Sequence, residues 1–444
     1  MTRVILLLLA GCQPTLKDRV GESPDDPTVL DAALVPSDTI ATVATLRWST
    51  DVPTRSRVRY GTTQRTFETP PPVDARTDHD ALLLGLPAST DVTWEVLDED
   101  GTVLAGDTWR TGPLPTALPS LEVTGAGHDQ FMFAPVIGAT TAAVVLSPEG
   151  EIVWWHLDTS GLDVYRVRPS RDGTGIWYNA ASVSGDPADD SRLVHVSWDG
   201  ASVTELPVPL LAHDFVEADD GALHAIQVRY GGPAGPDDGD TLRGDALVAV
   251  TPNDGGVTEL WNSWDCFDPA ADTSDDPELG WTFANALDVA DGGWVLGLRN
   301  FSSLVWIGAD GGCDRVLGGA LSDYTVDGAR FLHQHQFHTF RGDDGADHVL
   351  VFDNEGAGGT KSRVVEYALG ADTATEVWSY TPSPSIYSFV LGDVQRLDDG
   401  DTFVAWSVAG QLDRVTPDGV PAWSVNTGVG YAFGFVTLAP EIRP

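Results

Sequence analysis

The feature that most constrains the fold is a turn that recurs along the last three quarters of the chain. An Asp-Gly turn followed by a short apolar strand begins at Asp172, Asp220, Asp291, Asp344 and Asp399. The gaps between these turns are 48, 71, 53 and 55 residues. A period near 50 residues built from four short strands is typical of a β-propeller blade. At that period, region 121–444 predicts a single propeller of about six blades.

The region 29–113 has a different pattern and predicts a small β-sandwich. Short alternating strands occur at 41–48, 56–61 and 91–96, with turn residues between them. The spacing of Trp48, Tyr60-Gly61, the Leu-Gly-Leu-Pro run at 84–87 and Trp94 resembles a fibronectin type III module. The predicted fold class is therefore all-β, an N-terminal β-sandwich followed by the propeller.

The N-terminus predicts export and anchoring. Residues 1–11 carry one positive charge and a short apolar run, as in a signal peptide. Leu9-Ala10-Gly11-Cys12 resembles the bacterial lipoprotein box, which implies that Cys12 is lipidated. An ordinary secretory signal is the alternative. Polar residues 12–28 indicate a tether, so we expect a lipid-anchored protein of the cell envelope, on the periplasmic face or the cell surface.

The charge of the chain excludes some partners. With 25 Lys and Arg against 66 Asp and Glu, the formal net charge is −41. Nucleic acid and polybasic membrane docking are therefore poor hypotheses, which leaves the lipid anchor as the expected membrane contact. The two remaining cysteines, Cys266 and Cys313, are expected to form a disulfide because the protein is predicted to be exported.

A cluster of histidines is the most informative chemical feature. Three of the ten histidines, His333, His335 and His338, lie within the stretch 331–338. If this stretch is a strand, His333, His335 and Phe337 share one face. Imidazole is nucleophilic and changes charge near neutral pH, so the cluster predicts a nucleophile, a proton shuttle or half of a metal site. Hydrogen-bonded core histidines are the alternative.

Polar motifs from distant parts of the chain also fall near the predicted inner strands, which in a propeller line a central funnel. The motifs are His213-Asp-Phe, Trp281 to Asn285, Gly297-Leu-Arg299-Asn300, Gln334-His335, Phe352-Asp-Asn354 with Ser362-Arg363, and Gly392-Asp-Val-Gln395. In this order they resemble the arylsulfotransferase family of periplasmic six-bladed propellers, over about three quarters of the chain.

The resemblance implies transfer of a sulfuryl group from a phenolic sulfate donor to a phenol acceptor, without a nucleotide donor and with no cofactor. His335 matches the family's transiently sulfated histidine, and His213 and Arg299 match two supporting catalytic residues. A neutral imidazole can attack sulfur and expel a phenolate, while cationic donors hold the sulfuryl oxygens. No resident metal is implied. Substrate contacts are expected from Asn285, His333, Asn300 and Phe283.

One departure from the family pattern keeps other functions open. The family usually has His-x-Asn where this chain has Phe283-Ala284-Asn285. Phe283 is therefore expected to present an apolar surface where relatives have a proton carrier. A propeller that binds a ligand or a partner without catalysis is the second hypothesis. A metal site on His333-x-His335 and a third histidine is the third.

Overall fold

The computed structural model describes residues 26–182, 189–239, 241–290, 292–356 and 359–442. The predicted signal peptide, Cys12 and most of the tether lie outside the described residues. The chain divides into two compact units between Leu114 and Pro115. In the part that the structure describes, no helix is both long and apolar enough to cross a membrane.

The first unit is a β-sandwich. Its strands are β1 (Val29–Pro36), β2 (Ala44–Thr54), β3 (Arg57–Gly61), β4 (Thr66–Glu68), β5 (Arg76–Leu83), β6 (Asp91–Leu97) and β7 (Val103–Arg110). They form two sheets, ordered β1-β2-β5 and β4-β3-β6-β7. Alternation places Leu46 and Trp48 of one sheet in a buried cluster with Tyr60 and Trp94 of the other. Its identity as a fibronectin type III module stays a prediction.

The second unit contains almost only short strands. They are β8 (Glu122–Gly125), β9 (Phe131–Ile137), β10 (Thr141–Leu146), β11 (Ile152–Asp158), β12 (Asp163–Pro169), β13 (Gly175–Ala181), β14 (Arg192–Ser197), β15 (Val203–Pro207), β16 (Leu211–Glu217), β17 (Leu223–Gly231), β18 (Leu242–Val250), β19 (Val257–Asn262), β20 (Ala284–Ala290), β21 (Gly293–Leu298), β22 (Ser303–Ile307), β23 (Cys313–Gly318), β24 (Thr325–Asp327), β25 (Phe337–Arg341), β26 (Asp347–Asp353), β27 (Arg363–Leu369), β28 (Thr373–Tyr380), β29 (Asp393–Arg396), β30 (Thr402–Trp406), β31 (Gln411–Val415), β32 (Pro421–Asn426), β33 (Ala432–Phe433) and β34 (Thr437–Ala439). Short 3₁₀ helices span Ser263–Asp265, Arg299–Phe301 and Ser407–Ala409.

These strands form six antiparallel blades, with one additional parallel strand, β24, at the edge of the fifth. Blade 1 contains β9 to β11, blade 2 β12 to β15, blade 3 β16 to β19, blade 4 β20 to β23, blade 5 β24 to β28, and blade 6 β29 to β32. Buried apolar side chains of neighbouring blades pack together, as Leu247 and Trp261 of blade 3 do with Leu296 of blade 4. The predicted fold class, an all-β chain with a sandwich followed by a propeller of six blades, is confirmed.

Both ends of the second unit close the ring. At its start, β8 pairs with β32 and becomes the outermost strand of blade 6. At its end, β33 and β34 pair with β9 on the inner side of blade 1. Each end therefore covers a strand edge that would otherwise be left without backbone partners.

A buried ionic network joins residues of blades 2, 3, 5 and 6. Arg166 of blade 2 donates from Nε to Asp214 Oδ1 of blade 3 at 2.9 Å and from Nη1 to Asp393 Oδ2 of blade 6 at 2.9 Å. Gln336, which directly precedes β25 of blade 5, donates from Nε2 to Asp214 Oδ2 at 2.8 Å. All four residues are at most 6% exposed. The network fixes the spacing of the inner strands that carry the candidate residues.

The inner strands of blades 3 to 6 are each preceded by a residue with left-handed backbone geometry. The φ angles are 62° at Leu210, 51° at Phe283, 49° at His333 and 56° at Leu391. A positive φ is unfavourable for a side chain larger than glycine, so the surrounding structure must hold these turns. The turn at His333 corrects one expectation. Residues 331–336 are not a strand, β25 begins only at Phe337, and the alternating face predicted for His333, His335 and Phe337 does not exist.

Candidate active site

His335 lies in a buried position with a defined orientation. Its side chain is 2% exposed, and its Nδ1 lies 2.8 Å from Oδ1 of Asn354. Asn354 donates from Nδ2 to the carbonyl oxygens of Ser388 at 2.6 Å and Leu391 at 2.8 Å. Since the amide nitrogen is committed to two acceptors, Oδ1 must accept from the imidazole. The proton of neutral His335 therefore resides on Nδ1, which leaves a lone pair on Nε2.

The protonation state of His335 follows from its burial. Desolvation lowers the pKa of His335 to about 3, opposed by the hydrogen bond with Asn354 and assisted by the positive charge of Arg299. Near neutral pH the ring is uncharged. A neutral imidazole with a free Nε2 lone pair is a nucleophile that needs no base to activate it.

His213 approaches His335 from blade 3. The two ring centroids are 6.1 Å apart, and His213 also lies 5.1 Å from the ring of Phe283 and 5.8 Å from that of Tyr165. Burial lowers the pKa of His213 well below its ordinary value, with further lowering from His335 and the nearby arginines. Its Nδ1 is buried without a hydrogen-bond partner in the part of the chain that the structure describes. His213 is thus a neutral group with an available ring nitrogen.

Arg299 supplies a positive charge beside Phe283. Its Nη1 donates to Asp276 Oδ2 at 3.1 Å and to Asn300 Oδ1 at 2.7 Å. The guanidinium carbon lies 5.7 Å from the centre of the Phe283 ring. These contacts fix one nitrogen of the guanidinium, and the fixed geometry suits recognition of an anionic group.

The ring of Phe283 lies next to both His213 and Arg299. The chain around it is held by Asp245, whose Oδ2 accepts from Thr282 Oγ1 at 2.6 Å and from the backbone N–H of Ala284 at 2.7 Å. Burial raises the pKa of Asp245 to about 6. These two hydrogen bonds account for the persistence of the left-handed turn at Phe283.

The other predicted substrate contacts have different positions. Asn300 is fully buried, donates from Nδ2 to the carbonyl oxygens of Asp276 and Gly280, and accepts at Oδ1 from Arg299, so its amide holds Arg299 in place. A substrate contact from Asn300 stays a prediction. Asn285 is also fully buried, and its Nδ2 donates to the carbonyl oxygen of Gln334 at 2.7 Å.

His333 lies beside Glu355. Its Nδ1 lies 3.0 Å from Glu355 Oε1, and its backbone N–H donates to Ser302 Oγ at 3.1 Å. His333 and His335 therefore have different partners. Within the described residues, no three His, Cys, Asp or Glu side chains come together as a metal site requires.

Two features of the site escape sequence reasoning. Asn354 belongs to the Phe352-Asp-Asn354 motif, but the sequence does not indicate its contact with His335, which spans 19 positions of the chain. Arg243 of blade 3 lies with its guanidinium carbon 5.2 Å from the centre of the Phe283 ring, and its charge contributes to the low pKa of His213. A single arginine within an ordinary strand pattern carries no signal that could have identified it.

Unpartnered polar atoms are concentrated here. In the described part of the chain, nine buried side-chain nitrogen or oxygen atoms have no hydrogen-bond partner, and four of them are His213 Nδ1, Asn285 Oδ1, His333 Nδ1 and Gln334 Oε1. His333 Nδ1 lies 3.0 Å from Glu355 Oε1, but the two atoms do not have hydrogen-bonding geometry. Buried polar groups are normally satisfied, so such a concentration is typical of a site that exchanges hydrogen bonds with a ligand.

The predicted disulfide is present close to this region. Cys266 and Cys313 are bonded, with Cα atoms 6.0 Å apart. Cys266 begins the connection 266–283 between blades 3 and 4, and Cys313 begins β23 of blade 4. The bond therefore fixes the start of the segment that ends at Phe283.

Comparison with protein families gives one match. The family described as Arylsulfotransferase (ASST) matches residues 122–422, which is more than half of the 444-residue chain and lies within the propeller unit. No curated protein matches the chain.

Solved structures with similar folds have low sequence identity. A protein of unknown function from Bacteroides caccae is 13% identical, with a TM-score of 0.46, over 70% of this chain and 99% of that one. A catalytically inactive variant of virginiamycin B lyase from Staphylococcus aureus is 12% identical, with a TM-score of 0.38, over 68% of this chain and 87% of that one.

Proposed function

The chain belongs to the arylsulfotransferase family, and from that premise we propose that it moves a sulfuryl group from an aryl sulfate to a phenol through a sulfated His335. The observation that carries the proposal is the state of His335. Its ring is buried and neutral, Nδ1 is held by Asn354, and Nε2 keeps its lone pair. A nucleophile of this kind can divide one difficult displacement into two easier ones.

In the first half of the reaction, Nε2 of His335 attacks the sulfur of the donor. The N–S bond forms as the S–O bond to the aromatic ring breaks, and the phenolate leaves with the electron pair. The imidazole, which retains its Nδ1 proton, then carries the positive charge that balances the transferred group. Arg299 stabilises the sulfuryl oxygens in the transition state of the transfer, as cationic groups do in phosphoryl transfer.

In the second half, the acceptor phenol attacks the sulfur of the sulfated histidine. The new S–O bond forms, the N–S bond breaks, and His335 returns to its neutral state. The phenolic proton must leave during this step, and the unpartnered Nδ1 of His213 is available as a hydrogen-bond partner for it. The released phenolate of the donor takes up a proton from solvent, which completes the balance.

Transfer is tested with a nitrophenyl sulfate donor and a phenol acceptor. We expect nitrophenolate colour that depends on the acceptor, and one added sulfuryl mass on a peptide that contains His335 when the acceptor is withheld. His335→Ala should abolish both signals. His195→Ala is the control, because His195 lies on β14 of blade 2 and contacts Thr174 and Trp177. An adduct on a peptide outside 331–338 would disprove the proposed nucleophile.

Phe283 favours a second candidate function. The chain has Phe283 where the family pattern usually has a histidine, so one proton carrier is missing, and its ring puts an apolar surface beside His213. A propeller that binds an aryl sulfate without transferring its sulfuryl group accounts for that substitution. An intact protein that binds the donor but yields neither adduct nor colour would select this function. If transfer occurs, Phe283→His should raise turnover.

The place of action is part of the same proposal. The lipoprotein box at Cys12 supports a lipid-anchored protein of the cell envelope, with phenolic compounds as donor and acceptor. The strongly acidic composition supports a protein that does not act on nucleic acid.

A further inference from the structure

A cleft of about 600 Å³ lies between the β17–β18 pair of blade 3 and the connection 266–283. Its lining includes Tyr230, Arg243, Pro269, Pro277, Leu279 and Trp281. The lining also includes polar side chains, among them Thr241, Thr273 and Ser274, so the cleft has both apolar and polar surfaces. A concave space of several hundred Å³ is typical of sites for small organic molecules.

Arg243 connects the cleft with the candidate active site. It contributes to the cleft lining, and its guanidinium carbon lies 5.2 Å from the centre of the Phe283 ring. Its positive charge also helps to lower the pKa of His213. A ligand that fills the cleft and extends past Arg243 would therefore reach the group formed by Phe283, His213 and Arg299.

The wall of the cleft is held in place from several sides. Trp281 donates from Nε1 to the carbonyl oxygen of Asp272 at 2.7 Å and lies 5.2 Å from Trp264, ring centre to ring centre. Gly280 accepts from Asn300, the same residue that orients Arg299. A wall with these fixed contacts loses little conformational freedom when a ligand binds, which favours affinity.

We propose that this cleft binds the aromatic ring of the sulfate donor and that Arg243 holds its sulfuryl oxygens together with Arg299. The inference rests on the proposed function, which it extends by assigning a place for the ring and a second cation for the anion. An aryl sulfate combines a flat apolar body with one anionic end. The cleft offers apolar and aromatic side chains to the ring and Arg243 to the anionic end. Glu278, which also lines the cleft, is exposed and its charge is screened by solvent.

Binding is measured separately from transfer by titration calorimetry in a His335→Ala background, where the ester cannot be consumed. The probes are 4-nitrophenyl sulfate and its uncharged counterpart 4-nitroanisole. Arg243→Gln should weaken binding of the sulfate about tenfold or more, because a charge-assisted contact is lost, and should change binding of the anisole little. Leu279→Trp should weaken both, because the indole fills the cleft.

Val289→Trp is the matched control, since Val289 lies on β20, is 43% exposed and does not line the cleft. It should leave both affinities unchanged. Undiminished binding of the sulfate in the Leu279→Trp or Arg243→Gln variant would overturn the proposal, as would a background protein that binds neither probe.

The same variants separate this inference from the proposed function. If the protein with His335 transfers sulfuryl groups and Leu279→Trp leaves KM unchanged, the cleft assignment is wrong and the function stands. If no variant transfers a sulfuryl group but Leu279→Trp abolishes binding of the aryl sulfate, the cleft assignment is supported and the proposed function is wrong.

Discussion

Replacement of Asn354 by aspartate should change the protonation of His335 in a predictable direction. Asn354 Oδ1 lies 2.8 Å from Nδ1 of His335, and burial lowers the pKa of His335 to about 3. The variant puts a carboxylate charge where a neutral amide now accepts the hydrogen bond. An opposite charge at this distance raises the pKa of an imidazole by about 1–3 units, which corresponds to about 1.4–4 kcal/mol.

The sign of the effect on stability follows from the same shift. In the native protein the pKa of His335 lies below its ordinary value, so the unfolded chain binds the proton first as the pH falls. Neutral His335 therefore makes its full contribution to the free energy of unfolding at a pH above the ordinary histidine pKa. That contribution is lost as the pH drops toward about 3. In Asn354→Asp the pKa of His335 lies nearer its ordinary value. The pH range over which stability depends on the protonation of His335 should therefore be narrower.

The substitution also removes two donors, because Nδ2 of Asn354 now serves the carbonyl oxygens of Ser388 and Leu391. Loss of hydrogen bonds from buried groups costs about 1–3 kcal/mol each, so the variant should be less stable near neutral pH. Asn300→Asp is the matched control. Asn300 likewise donates to two carbonyl oxygens and accepts at Oδ1, but it accepts from Arg299 instead of a histidine.

The pKa of His335 is measured by NMR titration of its ring proton, and the acid limb of kcat/KM is measured in parallel. Both should move upward in Asn354→Asp, and both should move much less in Asn300→Asp. Equal shifts in the two variants, or an unchanged His335 titration in Asn354→Asp, would refute the assignment of the Nδ1 proton and its acceptor.

Three further predictions concern other parts of the chain. Arg166→Met should destabilise the propeller by about 3–5 kcal/mol in denaturant unfolding, since Asp214 and Asp393 would remain buried without their cation; an unchanged midpoint would contradict this. Replacing Cys266 and Cys313 by serine should cost up to about 4 kcal/mol, because the bond closes a loop with a sequence separation of 47, and non-reducing thiol labelling of the native protein should find neither cysteine free. Cys12→Ser should release a soluble form from the detergent phase, and a native protein that is already unacylated would disprove the anchor.

The propeller was predictable because its signal is carried by many residues at once. Each Asp-Gly turn ends one strand and begins another, and a four-stranded blade cannot bury its apolar faces without neighbours. The period therefore predicts both the fold and the approximate number of blades. The pairing of Cys266 with Cys313 was predictable for a similar reason, since few alternatives exist in an exported chain with two remaining cysteines.

The backbone turn within the histidine cluster could not be predicted from the sequence. Alternation was expected over 331–338, but the left-handed turn at His333 breaks it, and His333 and His335 have separate partners in Glu355 and Asn354. A local pattern cannot reveal such a turn, because it is stabilised by contacts from other strands. The backbone N–H of His333, for example, donates to Ser302 at a separation of 31 residues.

The sequence by itself thus determined the all-β class, a propeller of about six blades and the disulfide, and it supplied candidate site residues. Tertiary structure alone decided which of those candidates lie close together and how each is oriented. Asn354 and Asn300 are the same residue type in similar hydrogen-bonding positions, yet one orients a histidine and the other an arginine. Arg243 approaches Phe283 from 40 positions away. The physical reason is that charge state and orientation depend on burial and on nearby atoms, and in a propeller those atoms come from blades that are distant in the chain.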